Sequence, residues 1–565
     1  MKIFGVEKFK GLLLAGSFTV FADYVVRLSD SIIAGNFLGA NALAGINLIG
    51  PCLSAISFLS GLISSGMATN YSIAMGRCDR LRARQFFMQA IWTSFLFGGI
   101  LSGLFFFGGG HFLEFLGASA EITEYARRYL VWIWPLAILE AVETSFIAIG
   151  YADGDSRLCS LSYIVIFVSN FITSIVGVKL GLGTAGCAIG SLVSEVLGIL
   201  IISLHFMKKS NTVKIVKHFS FTDTITIVKT SFGDASAFLC DGLLFLFVNK
   251  FVIVKFGSEY LPVIGVAVAL WGFLEFFNGI GIAIQPIVTV YHGENNTRSI
   301  RTVMNSAMRV AVCEGIVFMI IFGVFPQIVV KMVGLSDSAL VLESCAAIRW
   351  MCWGFLALAF AGLFNSYYMF IEHSMLAGLI TFLCYLIMPI LAVFVMAMVG
   401  IRGVWIGLGM GPFLGLAVFL MIIVIRYGRA MFPLLLSRAR DDALYVFNLV
   451  LDEFSIVATS RQAAAALSEN VDSEGMVVKV SLMIEEVLMV VKERNRGKRV
   501  LAEVTLDLND GVLLTMRDDG EIFDITDADQ QISSLRSFLV ASMMLMHDGR
   551  MNLVTTGFNR NVFKF

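Results

Sequence analysis

The residues best equipped for chemistry are ionisable side chains set inside strongly apolar stretches. Asp23, Arg27 and Asp30 share one stretch, Glu140 and Glu143 share another, and Asp241 and Glu275 stand in two more. Glu195, Asp234, Lys250, Glu314 and Arg349 repeat the pattern elsewhere. In a hydrocarbon environment such groups cost several kcal/mol unless they are paired or face water, so they mark ion and substrate paths. Asp23 and Arg27 are four apart and can pair on one helix face, and Asp30, three beyond Arg27, can share that partner. Glu140 and Glu143 are spaced to lie on one face. An acid-rich interior suits cationic substrates, or coupling to H⁺ or Na⁺, because a carboxyl in a low-dielectric cavity can carry a proton near neutral pH. The plainer reading of each acid is a neutralised hydrogen bond or an ion pair.

These groups must be held by membrane helices. Hydrophobic residues make up 58% of the 565-residue chain and charged residues only 15%, far from the ~25% charged of soluble domains. A helix needs roughly 20 mainly apolar residues to cross about 30 Å of hydrocarbon. Twelve such helices are expected near 12–37, 42–74, 86–108, 126–150, 158–179, 184–206, 229–256, 260–290, 306–331, 342–371, 376–398 and 403–426. Basic residues before the first are not read as a cleaved signal, because Asp23, Arg27 and Asp30 interrupt the apolar run. Alternate connections gather Arg77, Arg80, Arg82 and Arg84, then Arg157, then Lys208, Lys209, Lys214 and Lys217, then Arg298 and Arg301. Cytoplasmic loops accumulate such residues, which puts both termini in the cytoplasm of a multi-pass inner-membrane protein. A net charge of −1 leaves no polybasic signature of nucleic-acid binding. The nine cysteines form no CxxC pair and read as small apolar packing residues.

The helical part repeats itself. Gly76 and Gly293 are 217 residues apart, as are Gly186 and Gly403, each pair at matching helix ends. Two parallel six-helix halves are therefore expected, an N-lobe over 1–206 and a C-lobe over 229–430, joined by a basic linker over 207–228. Residues 441–565 differ in kind. Helical periodicity runs over 447–465 and 473–494, with Ile484, Val487, Leu488 and Val491 on one face. Strand alternation follows around 500–508 and 511–517, with Asn509-Asp510-Gly511 as the hairpin turn. This is a small cytoplasmic α/β domain.

Asp30-Ser-Ile-Ile-Ala-Gly35, running on through Phe37-Leu38-Gly39, resembles the first-helix signature of MATE (multidrug and toxic compound extrusion) transporters. Gly76-Arg77-Cys78-Asp79, Gln285-Pro286 before Tyr291-His292-Gly293, and Gly181-Leu-Gly-Thr-Ala-Gly186 resemble further family motifs. The resemblance covers about residues 12–426. It implies Na⁺- or H⁺-coupled antiport of organic, cationic compounds by alternating access, with Asp30 as the coupling acid and no cofactor required. Where the family commonly has Asn followed four residues later by Asp, this chain has Asn170 and Ser174. The second N-lobe acid is thus absent; either Asp23 or a C-lobe acid replaces it, or coupling is altered.

The tail resembles the GHKL ATP-binding fold, particularly the small anti-sigma-factor serine kinases. Glu486, beside Glu485, would match the helix acid of that fold, Asp518 and Gly520 its adenine-binding loop, and Gly557-Phe-Asn-Arg-Asn-Val-Phe its closing strand. Met489 and Val490 stand where that fold has its Mg²⁺-binding Asn, and Ser534–Leu545 carries no glycine for a phosphate nest, although Arg536 offers charge. The expected protein is therefore a transporter rather than an enzyme. Its partners are the bilayer, a small organic substrate and a cytoplasmic regulatory protein, with a degenerate ATPase-like tail as regulator. Two other readings stay open: a transporter-shaped signalling protein whose tail binds a partner, and a flippase for a lipid-linked substrate.

Overall fold

The computed structural model describes residues 3–38, 42, 45–46, 49–77, 79–116, 120–208, 211, 213–257, 260–333, 338–436, 441–471, 473–509, 511–521, 550–555 and 558–565. The first helical set is α1 (Phe4–Phe37), α2 (Gly50–Gly76), α3 (Arg80–Leu116), α4 (Ala120–Ile133), α5 (Leu136–Ala152), α6 (Ser156–Lys179) and α7 (Thr184–Ser203). The second set is α8 (Phe221–Phe256), α9 (Leu261–Trp271), α10 (Glu275–Gly293), α11 (Thr297–Val324), α12 (Gln327–Val333), α13 (Ser338–Met351), α14 (Gly354–Phe370), α15 (Ser374–Thr381), α16 (Met388–Met396) and α17 (Ile401–Ile422).

Among the described residues, eight helices are long and apolar enough to cross a membrane, or ten if each of two bent pairs is one span. The bent pairs account for two expected helices. The span expected over 126–150 bends by 51° between α4 and α5, and the one over 342–371 bends by 47° between α13 and α14. Pro135 explains the first bend, since proline lacks an N–H and its ring clashes with the preceding turn. Large apolar side chains such as Phe107, Val395 and Val399 stay exposed on the outer helix faces, as a lipid environment requires. The eight described cysteines are free thiols and all but Cys313 are buried.

The repeat has a backbone counterpart. Gly183 caps the start of α7 at φ +58° and Gly400 caps the start of α17 at φ +109°, again 217 residues apart. Both lie where L side chains are strained, so glycine is needed at each. The two sets meet through α1 on α10 and α2 on α8. The sets also touch at the end from which the tail emerges. A Cβ on Gly76 would lie 2.9 Å from the Val290 carbonyl oxygen and 3.2 Å from the Gly293 Cα. The two glycines related by the repeat thus touch each other.

The tail consists of β1 (Leu444–Val450), α18 (Glu453–Ser468), α19 (Glu474–Arg494), β2 (Leu501–Asp507), β3 (Leu513–Asp518), β4 (Arg550–Thr555) and β5 (Phe558–Lys564). One expectation is corrected: residues 447–450 belong to a strand, and the helix begins only at Glu453. The run Leu444-Tyr-Val-Phe-Asn-Leu-Val is rich in β-branched and aromatic residues, and Asp452 stops it by capping the helix, accepting from the Ser455 amide at 2.8 Å. The sheet is antiparallel throughout, in the order β1-β2-β3-β5-β4. Ile484, Val487, Leu488 and Val491 are buried as their spacing predicts and pack with Val504, Leu506, Leu514 and Met516 of one sheet face. Gly511 takes φ +107° in the β2–β3 turn.

Candidate functional site

Asp30 lies buried in α1, and three other helices supply donors to it. Its Oδ2 accepts from Tyr129 Oη of α4 at 2.8 Å and from Ser191 Oγ of α7 at 2.9 Å. Ser174 Oγ of α6 reaches Oδ1 at 3.5 Å. Asn170, one turn before Ser174, donates to Ser191 Oγ at 3.0 Å and accepts from Ser29 Oγ at 2.6 Å. Asp30 and Asn170 are therefore brought into one hydroxyl-lined centre, and Ser174 occupies the place of the missing acid as a donor. The small side chains needed for this follow from local packing. Gly190 lies against Ser174, where a Cβ would sit 2.1 Å from the Ser174 Oγ. Asp23 lies on the same helix, but its side chain and that of Arg27 fall outside the described residues.

Glu140 turns to α2, where Ser57 and Ser60 donate to its Oε1 at 3.1 and 3.0 Å. Glu143 is buried within α5. Neither joins the Asp30 centre through a described hydrogen bond.

Asp241 and Glu275 meet elsewhere. Both line a cavity of about 180 Å³ between the helical sets, with Ser65, Phe238, Asn278, Gln285 and Tyr385 among its walls. Asp241 accepts from Trp271 Nε1 at 2.9 Å, and Glu275 from Asn278 Nδ2 at 2.7 Å. Irregular backbone presents these groups. A one-turn 3₁₀ break at Gly272–Leu274 separates Trp271 from Glu275, and a π-turn over Phe382–Ile387 carries Tyr385. Asp30, Asn170, Glu140 and Glu143 lie outside this cavity's wall. The sequence-chosen residues thus divide between a closed single-carboxylate centre and an open two-carboxylate cavity. Tyr129, Ser191, Trp271 and Tyr385 escaped sequence reasoning, since neutral residues in apolar runs carry no signal until a carboxylate is placed beside them.

In the tail, Asp518 closes β3 and is buried. Its Oδ1 accepts from Asn559 Nδ2 at 2.8 Å and from the Gly520 amide at 3.0 Å. Burial pushes its carboxyl up to about 7, against the lowering effect of those donors. A Cβ on Gly520 would meet Asn495 Nδ2 at 2.6 Å. Glu486 lies on α19, half-buried. Residues 522–549, which include Arg536, and Gly557 fall outside the described residues. Among the described residues, no group of three or more His, Cys, Asp or Glu is arranged to hold a metal ion.

Comparison with known proteins places the chain in a family. The chain matches the MatE family over residues 17–176 and 236–394. It is similar in structure to a multidrug resistance MATE family transporter of the MOP superfamily in its outward-facing conformation. That match has 19% identity and a TM-score of 0.69, and covers 74% of this chain and 97% of the other. MATE in complex with MaL6 matches with 19% identity and a TM-score of 0.69, over 74% of this chain and 95% of that one. A MOP superfamily transporter from Pyrococcus furiosus, whose reversed pocket polarity is described as suggesting a different function, matches with 19% identity and a TM-score of 0.70. It covers 75% of this chain and 95% of its own. At such identity the likeness is one of fold. No curated protein matches the chain. The family match falls once in each helical set and spans more than half of the chain, so this protein belongs to the MatE family, whose members are transporters and not enzymes.

Proposed function

We propose that the chain is a secondary transporter that exports small organic cations by alternating access, in exchange for H⁺ or Na⁺. The observation that carries this reading is the separation of two acidic centres. Asp30 is enclosed by Tyr129, Ser174 and Ser191 and suits a small ion, while Asp241 and Glu275 face a cavity and suit a cationic substrate. The two sets are twelve-span in plan. Ten spans are counted with the bent pairs, and α1 and α8, of 34 and 36 residues, are each long enough to add another.

The excess of Lys and Arg at the tail-bearing end puts that end in the cytoplasm, so the contact of Gly76 with Gly293 closes the cytoplasmic mouth. The tail keeps two helices on one face of a sheet, and we read it as a degenerate GHKL-like regulatory module. Asp518 Oδ1 already holds two donors and Gly520 abuts Asn495.

The test is uptake of a fluorescent organic cation into proteoliposomes under an imposed proton or sodium gradient. Asp30→Asn is expected to lower gradient-driven uptake at least tenfold, because the charge that binds the coupling ion is gone. Undiminished uptake would remove Asp30 from coupling.

A further inference from the structure

The sheet face turned away from α18 and α19 carries charge where an exposed sheet would meet water. Asn448, Glu503, Arg517 and Arg560 are successive cross-strand partners on β1, β2, β3 and β5, so they form one row across the sheet. Glu503, Arg517 and Arg560 are each no more than 2% exposed. Burying three charges is costly unless each is answered in place. Here the answers come from the helical sets.

The Asn448 Oδ1 accepts the backbone amide of Phe4, at the start of α1, at 2.7 Å. Glu503 accepts from Tyr291 Oη of α10 at 3.1 and 3.2 Å. Arg517 pairs with Glu503 at 2.7 Å and with Glu294, just beyond α10, and its guanidinium lies 4.9 Å over the Tyr291 ring. Arg560 also pairs with Glu294, and donates to the Met75 and Gly76 carbonyl oxygens at 3.1 and 2.9 Å. Those carbonyls belong to the last turn of α2, where the helix dipole favours a cation. Arg560 is therefore bonded to the first helical set through α2 and to the second through Glu294.

The same place is where Gly76 and Gly293 touch. When the sets part there, the α2 carbonyls move away from Glu294, and one guanidinium can no longer serve both. The tail thus fits one conformation: its polar row is matched to the closed mouth and would lose the partners of one set at an open one. A group that binds only one of two states shifts the population toward that state. We infer that the tail is an intramolecular latch, which docks its sheet across the end of α2 and the end of α10 and holds this mouth shut. The latch rests on the alternating-access reading above, in which this mouth opens.

The experiment uses the full chain in lipid nanodiscs with spin labels at Leu81 and Asn305, exposed positions near the tail-side ends of α3 and α11. The distance between labels reports the mouth directly, without any transport. Arg560→Met, which keeps the length of the stem but removes the charge, is expected to raise the population at longer distance at least about tenfold. Glu294→Gln leaves the tail's own sequence intact and is expected to act in the same direction, so misfolding of the tail cannot by itself account for the pair of results. Distance distributions unchanged in both variants would overturn the latch. Uptake assays on the same variants read the transport function separately: a shifted distance without any uptake would count against the transporter reading and leave the latch standing.

Discussion

Asp30 shows how a single residue can be found from sequence while its chemistry cannot. A carboxylate in an apolar run is conspicuous, but its three donors come from α4, α6 and α7, more than 90 residues away along the chain. Tyr129→Phe removes the donor at 2.8 Å without changing charge, and is expected to weaken coupling-ion affinity several-fold in the proteoliposome assay, with a smaller effect on maximal rate. Asp518 offers a second test at this scale. Its folded carboxyl holds a proton up to about 7, whereas the unfolded one releases it near pH 4, so the folded tail binds the extra proton between those values. Stability of the tail therefore falls as pH rises through that window, by about 2 kcal/mol between pH 5 and 7. Asp518→Asn is expected to flatten this dependence, measured as the urea midpoint for proteolysis of the tail in the full-length protein.

At the scale of elements, glycine decides how closely the helical sets approach. Gly66 of α2 is pressed onto α8, where a Cβ would lie 2.2 Å from the Ile227 carbonyl oxygen. Backbone cannot yield as a flexible side chain can, so Gly66→Ala is expected to destabilise the closed arrangement by about 1–3 kcal/mol and lower the thermal midpoint of the purified protein. The helices themselves were legible from hydropathy, except where bends and short turns interrupt them. The break between α13 and α14 has no proline to announce it, and the 3₁₀ and π-turns that present Glu275 and Tyr385 arise from packing. In the tail, residues 447–450 satisfy both a helical and a strand pattern, and pairing with β2 over Leu444–Val450 settles the choice.

For the whole molecule, the candidate transport centres lie entirely in the two helical sets, and the tail contributes nothing to their walls. A chain ending at Leu436 is accordingly expected to retain gradient-driven uptake at a rate equal to or above that of the full chain. Loss of uptake on truncation, with the shortened protein still monodisperse, would show that the tail is required for transport. The amino-acid sequence by itself determined the membrane-spanning character, the internal repeat, the change of composition at the tail and the identity of the acids, because hydropathy and spacing are local properties of the chain. Tertiary structure alone decided which acid stands with which partner, and that Glu503, Arg517 and Arg560 point at the helical sets and not at water. Strand alternation marks those three only as residues on a polar face. What covers that face depends on contacts such as Arg560 with Gly76, separated by 484 positions, and no local pattern records them.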